Sequence, residues 1–252
     1  PVLSDAILAN LPGLDHEATY RAMVESSTRP HVNSPFGIWE KYGYMPQNLQ
    51  GTSVSITLEQ AFDDWCVAQV AKKLGHKADY ERFSRRAMFY KNLYDPQTGF
   101  FRPKDDKGNW IEPFDPLSYE QPCFIEGNAW QYMWFAPHDP QGLITLMGGR
   151  EAFLKKLDEN FSLTATSGER NGNASGFIGQ YAHGNEPSHH TVYLYTMAGK
   201  PSRTEELVEQ VRTSFYNATP CGYAGNDDCG QMSAWYIFSS LGFYPFNAGS
   251  AE

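Results

Sequence analysis

GYAGNDDCGQMSAWYIFSSLG, from Gly222 to Gly242, sets two adjacent acids, Asp227 and Asp228, in a glycine-bounded turn that leads straight into an aromatic helix. Two segments further out share this build. HGNEPSHHTVYLY runs from His183 to Tyr195, and FIEGNAWQYMWF from Phe124 to Phe135. In each, a polar turn with an acid precedes a stretch rich in aromatics. Free backbone N–H groups and the positive end of the helix dipole favour an anion at a helix start, so capping is the plainest account of any one of these acids. Pro187 suits a first helical position, which makes Glu186 or Asn185 the expected N-cap. Capping needs no Trp or His beside it. Three such turns, each followed by aromatics, point to a shared polar pocket.

The periodicity around these turns is helical nearly throughout. From Val54 to Leu74, Leu58, Ala61, Phe62, Trp65, Ala68 and Ala71 recur at threes and fours and describe one buried face. Gly75 stops that helix, and a second follows from about 78 to 93. Turn chemistry at Asp95-Pro96, Thr98-Gly99 and Lys107-Gly108-Asn109 predicts a small β-hairpin carrying Phe100, Phe101 and Trp110. Further helices are expected near 126–136, 149–163, 187–198, 203–217 and 229–241. Those near 54, 126, 187 and 229 are aromatic and almost free of Lys and Arg, whereas those near 78, 149 and 203 carry regularly spaced charge. Buried and exposed helices therefore alternate. This is the pattern of a mainly α fold, an α/α toroid of inner and outer helices. Its inner-helix starts gather at one end and would bring the three acid-bearing turns into one cavity.

Composition narrows the choice of function. The 252 residues, 41% hydrophobic and 15% aromatic, can bury one large core and predict a single domain. A net charge of -9 with dispersed Lys and Arg argues against nucleic acid and against an anionic membrane surface, and suits a cation. No apolar run reaches the roughly 18 residues that a membrane span requires. The start, PVLSDAIL, has neither Met nor a charged n-region, as in a processed chain or an excerpt. Cys66, Cys123, Cys221 and Cys229 have no CxxC spacing and are expected as free thiols, with a Cys221–Cys229 disulfide left open. N-x-S/T triplets occur at Asn160, Asn173 and Asn217.

FIEGNAWQYMWFAPHD, GQYAHGNEPSHHTVYLYTMAGKP and GNDDCGQMSAWYIFSSLGFYPFN resemble the signature segments of glycoside hydrolase family 92, the calcium-dependent exo-acting α-mannosidases. AFDDWCVAQVAKKLG and NLYDPQTGFFRPKDDKGNW match as well, so the resemblance covers essentially the whole chain. Members of that family carry an N-terminal β-sandwich and an (α/α)6 barrel. The resemblance makes residues 1–252 one partial (α/α)6 catalytic domain, whose partner is the missing N-terminal portion of the same polypeptide. It implies inverting hydrolysis of terminal α-linked mannose from mannose-containing glycans, as in N-glycan degradation, by a secreted or periplasmic enzyme.

The resemblance places Glu126 as general acid and Asp228 as general base. Family members often carry a second acid two positions before that base. Here the residue is Asn226, which leaves Asp228 first and Asp227 second. Inversion calls for carboxyl groups roughly 6.5 to 9.5 Å apart. Calcium, a hard cation able to hold the mannose 2- and 3-hydroxyls, takes oxygen ligands, for which Glu186, Asn185 and, through water, Asp228 are the candidates. Asn128, Trp130, His189, His190, Glu169 of the TSGERNGNASG loop and Asp64 are the expected sugar contacts. For the two histidines, satisfying backbone carbonyls is the bland alternative. A zinc site from His183, Glu186, His189 and His190 conflicts with a helix that starts at Pro187, after His183. Trp65, Trp235 and Tyr236 read as core. Two other functions stay open: a toroid glycosidase or lyase that works without calcium, and a non-catalytic carbohydrate-binding fragment with exposed apolar helix faces.

Overall fold

The longest apolar repeat in the sequence becomes the longest helix of the computed structural model, which describes residues 1–30, 35–167 and 172–250. Ser53–Leu74 buries Val54, Leu58, Ala61, Val67, Ala68, Val70 and Ala71. It ends at Gly75, whose φ of 84° supplies the left-handed turn that frees the last carbonyls for capping. The chain then returns along Lys77–Ala87, which buries Phe83, Arg86 and Ala87 and exposes Lys77, Glu81 and Arg85. The second helix of this hairpin is shorter than expected, because the backbone tightens into a 3-10 turn at Phe89–Leu93. Within the single domain that composition predicts, the residues gather into two compact units.

The first unit comprises Pro1–Tyr94, Arg102–Pro113 and Asn247–Glu252. Besides the long hairpin it contains Val2–Leu8, His16–Ser26 and Phe36–Tyr42, three helices that the periodicity did not predict. Ile7, Tyr20 and Met23 from the first two meet Val67, Ala68, Val70, Ala71 and Phe83 in one core cluster. Trp65 is only partly buried, stacked on Phe62 with ring centroids 6.3 Å apart.

Asp64 lies in the same unit and is not open to a sugar. Its carboxylate accepts Arg86 Nε at 2.7 Å and Nη2 at 2.8 Å, Trp39 Nε1 at 2.9 Å and Gln60 Nε2 at 3.2 Å, with no solvent exposure. Burial pushes this carboxyl up to about 6, against the pull of the Arg86 guanidinium. Sequence suggested a ligand contact here; the structure shows the anchor of a buried ion pair.

The second unit comprises Asp95–Phe101 and Phe114–Phe246. Its charged-stripe helices form as predicted, at Arg150–Ser162 and Pro201–Phe215. The latter buries Leu207 and Val211 and exposes Glu205, Glu206 and Glu209. The aromatic segments are much less helical. FIEGNAW yields only Ala129–Tyr132, and HGNEPSHH yields two 3-10 turns, Glu186–Ser188 and Thr191–Tyr193, before Leu194–Met197. Trp130, Tyr132, Met133 and Trp134 are nonetheless all buried. A hairpin of Phe177–Ile178 and Tyr181–Ala182 turns at Gly179, φ 62°, where a β-carbon would lie 2.5 Å from the Asn160 carbonyl oxygen.

Gln231–Leu241 runs as a full helix but is not buried all round. It covers Met232 and Trp235 and leaves Tyr236, Ile237 and Leu241 38%, 55% and 66% exposed, so Tyr236 is not core. All four cysteines are free, with Cys66 and Cys123 buried and Cys221 and Cys229 exposed. Among the described residues no helix is long and apolar enough to cross a membrane.

The buried ion pair gives a stability test. Arg86→Ala would leave the buried Asp64 carboxyl without its guanidinium partner, and should lower the unfolding free energy by about 3–5 kcal/mol in urea titration. A change under about 1 kcal/mol would mean that the pair does not anchor this unit.

Candidate active site

All three acid-bearing turns fall in the second unit. The chain passes Glu126 at φ 51°, in the left-handed region that a non-glycine residue enters only when its surroundings dictate it. At the following Gly127, a β-carbon would sit 2.6 Å from Gln131 Oε1. That oxygen is held in place because it accepts the Asn128 N–H at 3.1 Å, while Asn128 Oδ1 accepts the Gln131 N–H at 3.3 Å, a capping box that starts Ala129–Tyr132. Asn128 also donates to Gln180 Oε1 at 3.2 Å and is fully buried, so it serves the helix start rather than a ligand. Glu126 points the other way. Its Oε1 accepts Asn173 Nδ2 at 2.5 Å, and its carbonyl accepts Asn185 Nδ2 at 3.1 Å.

The other two turns touch backbone to backbone. A β-carbon on Gly184 would lie 2.0 Å from the Ala224 carbonyl oxygen, and one on Gly225, φ 146°, would lie 2.9 Å from Gly184 Cα. A strap at 173–176 secures them. Ser175 Oγ donates to the Ala224 carbonyl at 2.5 Å, while the Ser175 and Gly176 carbonyls accept the Gly184 and His183 N–H groups, each at 3.0 Å.

The adjacent acids of the third turn divide their tasks. Asp227 Oδ1 accepts the Ser233 N–H at 2.9 Å and Ser233 Oγ at 2.8 Å, which satisfies a free N–H in the first turn of Gln231–Leu241, whose N-cap is Gly230. Asp228, at φ 42°, is exposed and lies within hydrogen-bonding reach of Glu186. The Glu186 carboxyl is pushed up to about 7, first by burial, then by its contact with Asp228 and by the charges of Asp228 and Glu126. Glu186 Oε1 is buried and accepts no hydrogen bond from a described residue. Three of the five non-glycine residues with positive φ among the described residues are Glu126, Asp228 and Cys229, so backbone strain is concentrated at this cluster.

Histidines form the floor. Tyr181 donates its hydroxyl to His183 Nδ1 at 2.7 Å, His183 Nε2 donates to the Tyr216 hydroxyl at 2.7 Å, and that hydroxyl donates to the Met232 carbonyl at 3.1 Å. His189 Nε2 donates to the His183 carbonyl at 2.8 Å, and its Nδ1 accepts Gln231 Nε2 at 3.3 Å. His190 Nε2 donates to the Trp134 carbonyl at 2.8 Å. The expected sugar contact of His189 and His190 thus gives way to backbone support. Burial lowers His183 to about 2 and His189 and His190 to about 4, holding all three neutral. Trp130 is likewise no sugar platform. It is buried against the edge of Phe100, 5.0 Å between centroids, with Lys156 Nζ 3.8 Å from its ring centre. Glu169 lies outside the described residues.

Zinc finds no ligand set, because the histidine nitrogens that point at partners are engaged as above. Among the described residues no three His, Cys, Asp or Glu side chains converge on a metal position. The donors that do meet, Glu186 and Asp228 with the Asn185 amide beside them, are hard oxygens. With Glu186 Oε1 buried and unsatisfied, they fit calcium, the remaining ligands being carbonyls or water.

The profile described as the glycosyl hydrolase family 92 catalytic domain matches residues 1–252. The chain belongs to glycoside hydrolase family 92. A family 92 α-mannosidase from Bacteroides thetaiotaomicron, solved with mannoimidazole, superposes with a TM-score of 0.93 at 41% identity, over 99% of this chain and 34% of its own. An inverting family 92 mannosidase from Bacteroides thetaiotaomicron VPI-5482 gives a TM-score of 0.86 at 36% identity, over 98% of this chain and 36% of its own. A protein of Arthroderma benhamiae named an uncharacterized secreted glycosidase is 27% identical over 288 residues, covering 97% of this chain and 34% of the relative. The family 92 chain described here thus spans about a third of the length of these relatives. Its mainly helical fold is part of their (α/α)6 toroid, with small hairpins added.

Two outcomes follow for this family 92 segment. Gly184→Ala would drive a methyl group into the Ala224 carbonyl and should destabilise the second unit by about 2 kcal/mol or more in thermal or urea unfolding. The three neutral histidines take up protons once unfolded, near the ordinary value of about 6.5. Below that pH the unfolded state binds more protons, so their contribution is fully present above about 6.5 and is lost as pH falls toward 4. Each histidine costs up to about 1.4 kcal/mol per pH unit in that window. Urea midpoints at pH 7 and pH 5 should show the loss, and His190→Gln should make it shallower.

Proposed function

We propose that this chain carries the acid–base centre of an exo-acting α-mannosidase that removes terminal α-linked mannose from glycans with inversion. The observation that supports this most is the half-buried Glu186 side chain, which has one oxygen out of solvent, contacts Asp228 and feels the charge of Glu126. Asp228 lies within hydrogen-bonding reach of Glu186 and Glu126 is near enough to raise its carboxyl, in a fold whose structural neighbours are named mannosidases.

In this reading the Glu126 side chain donates its proton to the glycosidic oxygen as the bond to the anomeric carbon breaks and its electron pair stays on the departing oxygen. Asp228 takes a proton from the water whose oxygen attacks the opposite face of the sugar, so a β-mannose leaves. Exchange with solvent restores both groups. Asp227 is committed to the helix start, which leaves Asp228 as the base. Glu186 and Asn185, with Asp228, would hold a calcium ion. When bound, calcium supplies a positive charge for the mannose hydroxyls and relieves repulsion among the acids.

The working enzyme is a longer polypeptide in this proposal. Relatives are about three times as long, and the apolar face of Ile237, Leu241 and Phe243 suits cover by the portion outside this chain. Of the secreted and periplasmic locations, the secreted one accords with the name of the Arthroderma relative.

The test is hydrolysis of α-mannobioses by the full polypeptide that carries this segment. NMR should detect β-mannose as the first product, a chelator should abolish turnover, and calcium should restore it. Glu126→Gln should lower kcat on mannobiose by about 10²- to 10⁴-fold and much less on a dinitrophenyl mannoside, whose leaving group needs no proton. Release of α-mannose would end the inverting assignment, and unchanged kcat in the variant would end the acid assignment.

A further inference from the structure

The loop at 172–176 reads in sequence as a solvated Gly/Asn/Ser connection, yet its polar groups are bound to all three acid-bearing turns. Ser175 and Gly176 hold the turns of Asp228 and Glu186, as described above, and Ala174 is buried between them at 6% exposure. Asn173 completes the strap by donating Nδ2 to Glu126 Oε1 at 2.5 Å. A short pinned segment thus connects the proposed proton donor to the turn of the proposed base.

We propose that Asn173 is a positioning residue that sets which oxygen of Glu126 delivers the proton; this rests on the reading of Glu126 as general acid. An amide N–H only donates, so the oxygen facing it must be an acceptor. In the reading of Glu126 as general acid, Oε1 is taken up by Asn173 and Oε2 is the oxygen left to carry the delivered proton. The backbone of Glu126 is fixed independently, by its left-handed φ and by Asn185 on its carbonyl, so the carboxyl has little freedom left once Asn173 holds one oxygen. As the proton leaves, negative charge develops on the carboxyl and the amide bond becomes charge-assisted, hence stronger. Its benefit is therefore greatest in the transition state and should appear in kcat rather than KM.

The bland alternative is a loop amide that merely rests on a surface carboxylate. Asn173 is exposed, so removing its side chain opens no cavity, and the two accounts separate in kinetics. In the full polypeptide, Asn173→Ala should lower kcat on α-mannobiose about tenfold, the size of one charge-assisted hydrogen bond, with KM within about twofold. On 2,4-dinitrophenyl α-mannoside the loss should be several-fold smaller. Asn173→Asp, the same shape without a donor, should fall at least as far on mannobiose. Equal losses on both substrates, a change confined to KM, or a wild-type rate in Asn173→Asp would each overturn the assignment. Glu126→Gln serves as the reference. If it fails to steepen the dependence on leaving group, the acid reading itself fails. If it does so and Asn173→Ala does not, only the role of Asn173 is lost.

Discussion

The contact between Gly184 and the Ala224–Gly225 backbone is the constraint on which the candidate site depends. Two loops that carry acids would ordinarily keep apart, both to avoid like charge and to leave room for side chains. Here a β-carbon on Gly184 would be 2.0 Å from a carbonyl oxygen, so the loops approach as closely as bare backbone allows. Glu186 and Asp228, two and three residues beyond the glycines, are then forced into contact. The consequence is electrostatic: the Glu186 carboxyl is raised to about 7, and one of its oxygens is buried with no hydrogen-bond donor among the described residues. Packing has placed charge where charge alone would not go. A cation or a sugar hydroxyl is the natural relief of that arrangement.

Such a site needs a rigid floor, and neutral histidines supply it. His183, His189 and His190 lie directly around Glu186 in sequence, and each spends its Nε2 donor on a tyrosine hydroxyl or a backbone carbonyl. Trp235 stacks edge-on against His183 at 4.4 Å and donates to the His189 carbonyl at 3.1 Å, which ties the last helix to the same floor. Because burial keeps the imidazoles uncharged, the positive charge that would neutralise the acids does not come from beneath.

Much of this was legible in the sequence, for reasons that particular residues make plain. Pro201–Phe215 was readable because its apolar positions share one stripe, with Leu207 and Val211 four apart among glutamates. The aromatic segments were readable as buried but not as helices, since rings pointing in every direction carry no period. Glu126, Glu186 and Asp228 stood out as acids at turns, and the fold brings them together. Asp64 looked similar beside Trp65, yet its partner Arg86 lies 22 residues away on the next helix, a pairing no local pattern encodes. Asn173 and Ser175 stood out only as the ends of an N-x-S triplet, since their partners are 47 and 49 residues distant and their neighbours are the small polar residues of any loop.

The pair Asp227 and Asp228 shows how one turn separates structure from chemistry. Successive side chains in a tight turn cannot face the same way, and the left-handed backbone at Asp228 and Cys229 sharpens the divergence. One carboxylate is drawn to the free N–H groups of Gln231–Leu241, where the helix dipole favours it, and that bond orients the helix start. The other is thereby turned out toward Glu186. Asn226 adds no further charge to this turn, where another carboxylate would cost repulsion from the adjacent Asp227 and Asp228. An amide keeps the turn polar without that cost. The asymmetry between neighbouring residues is therefore enough to direct one acid at Glu186 while its twin holds the helix start.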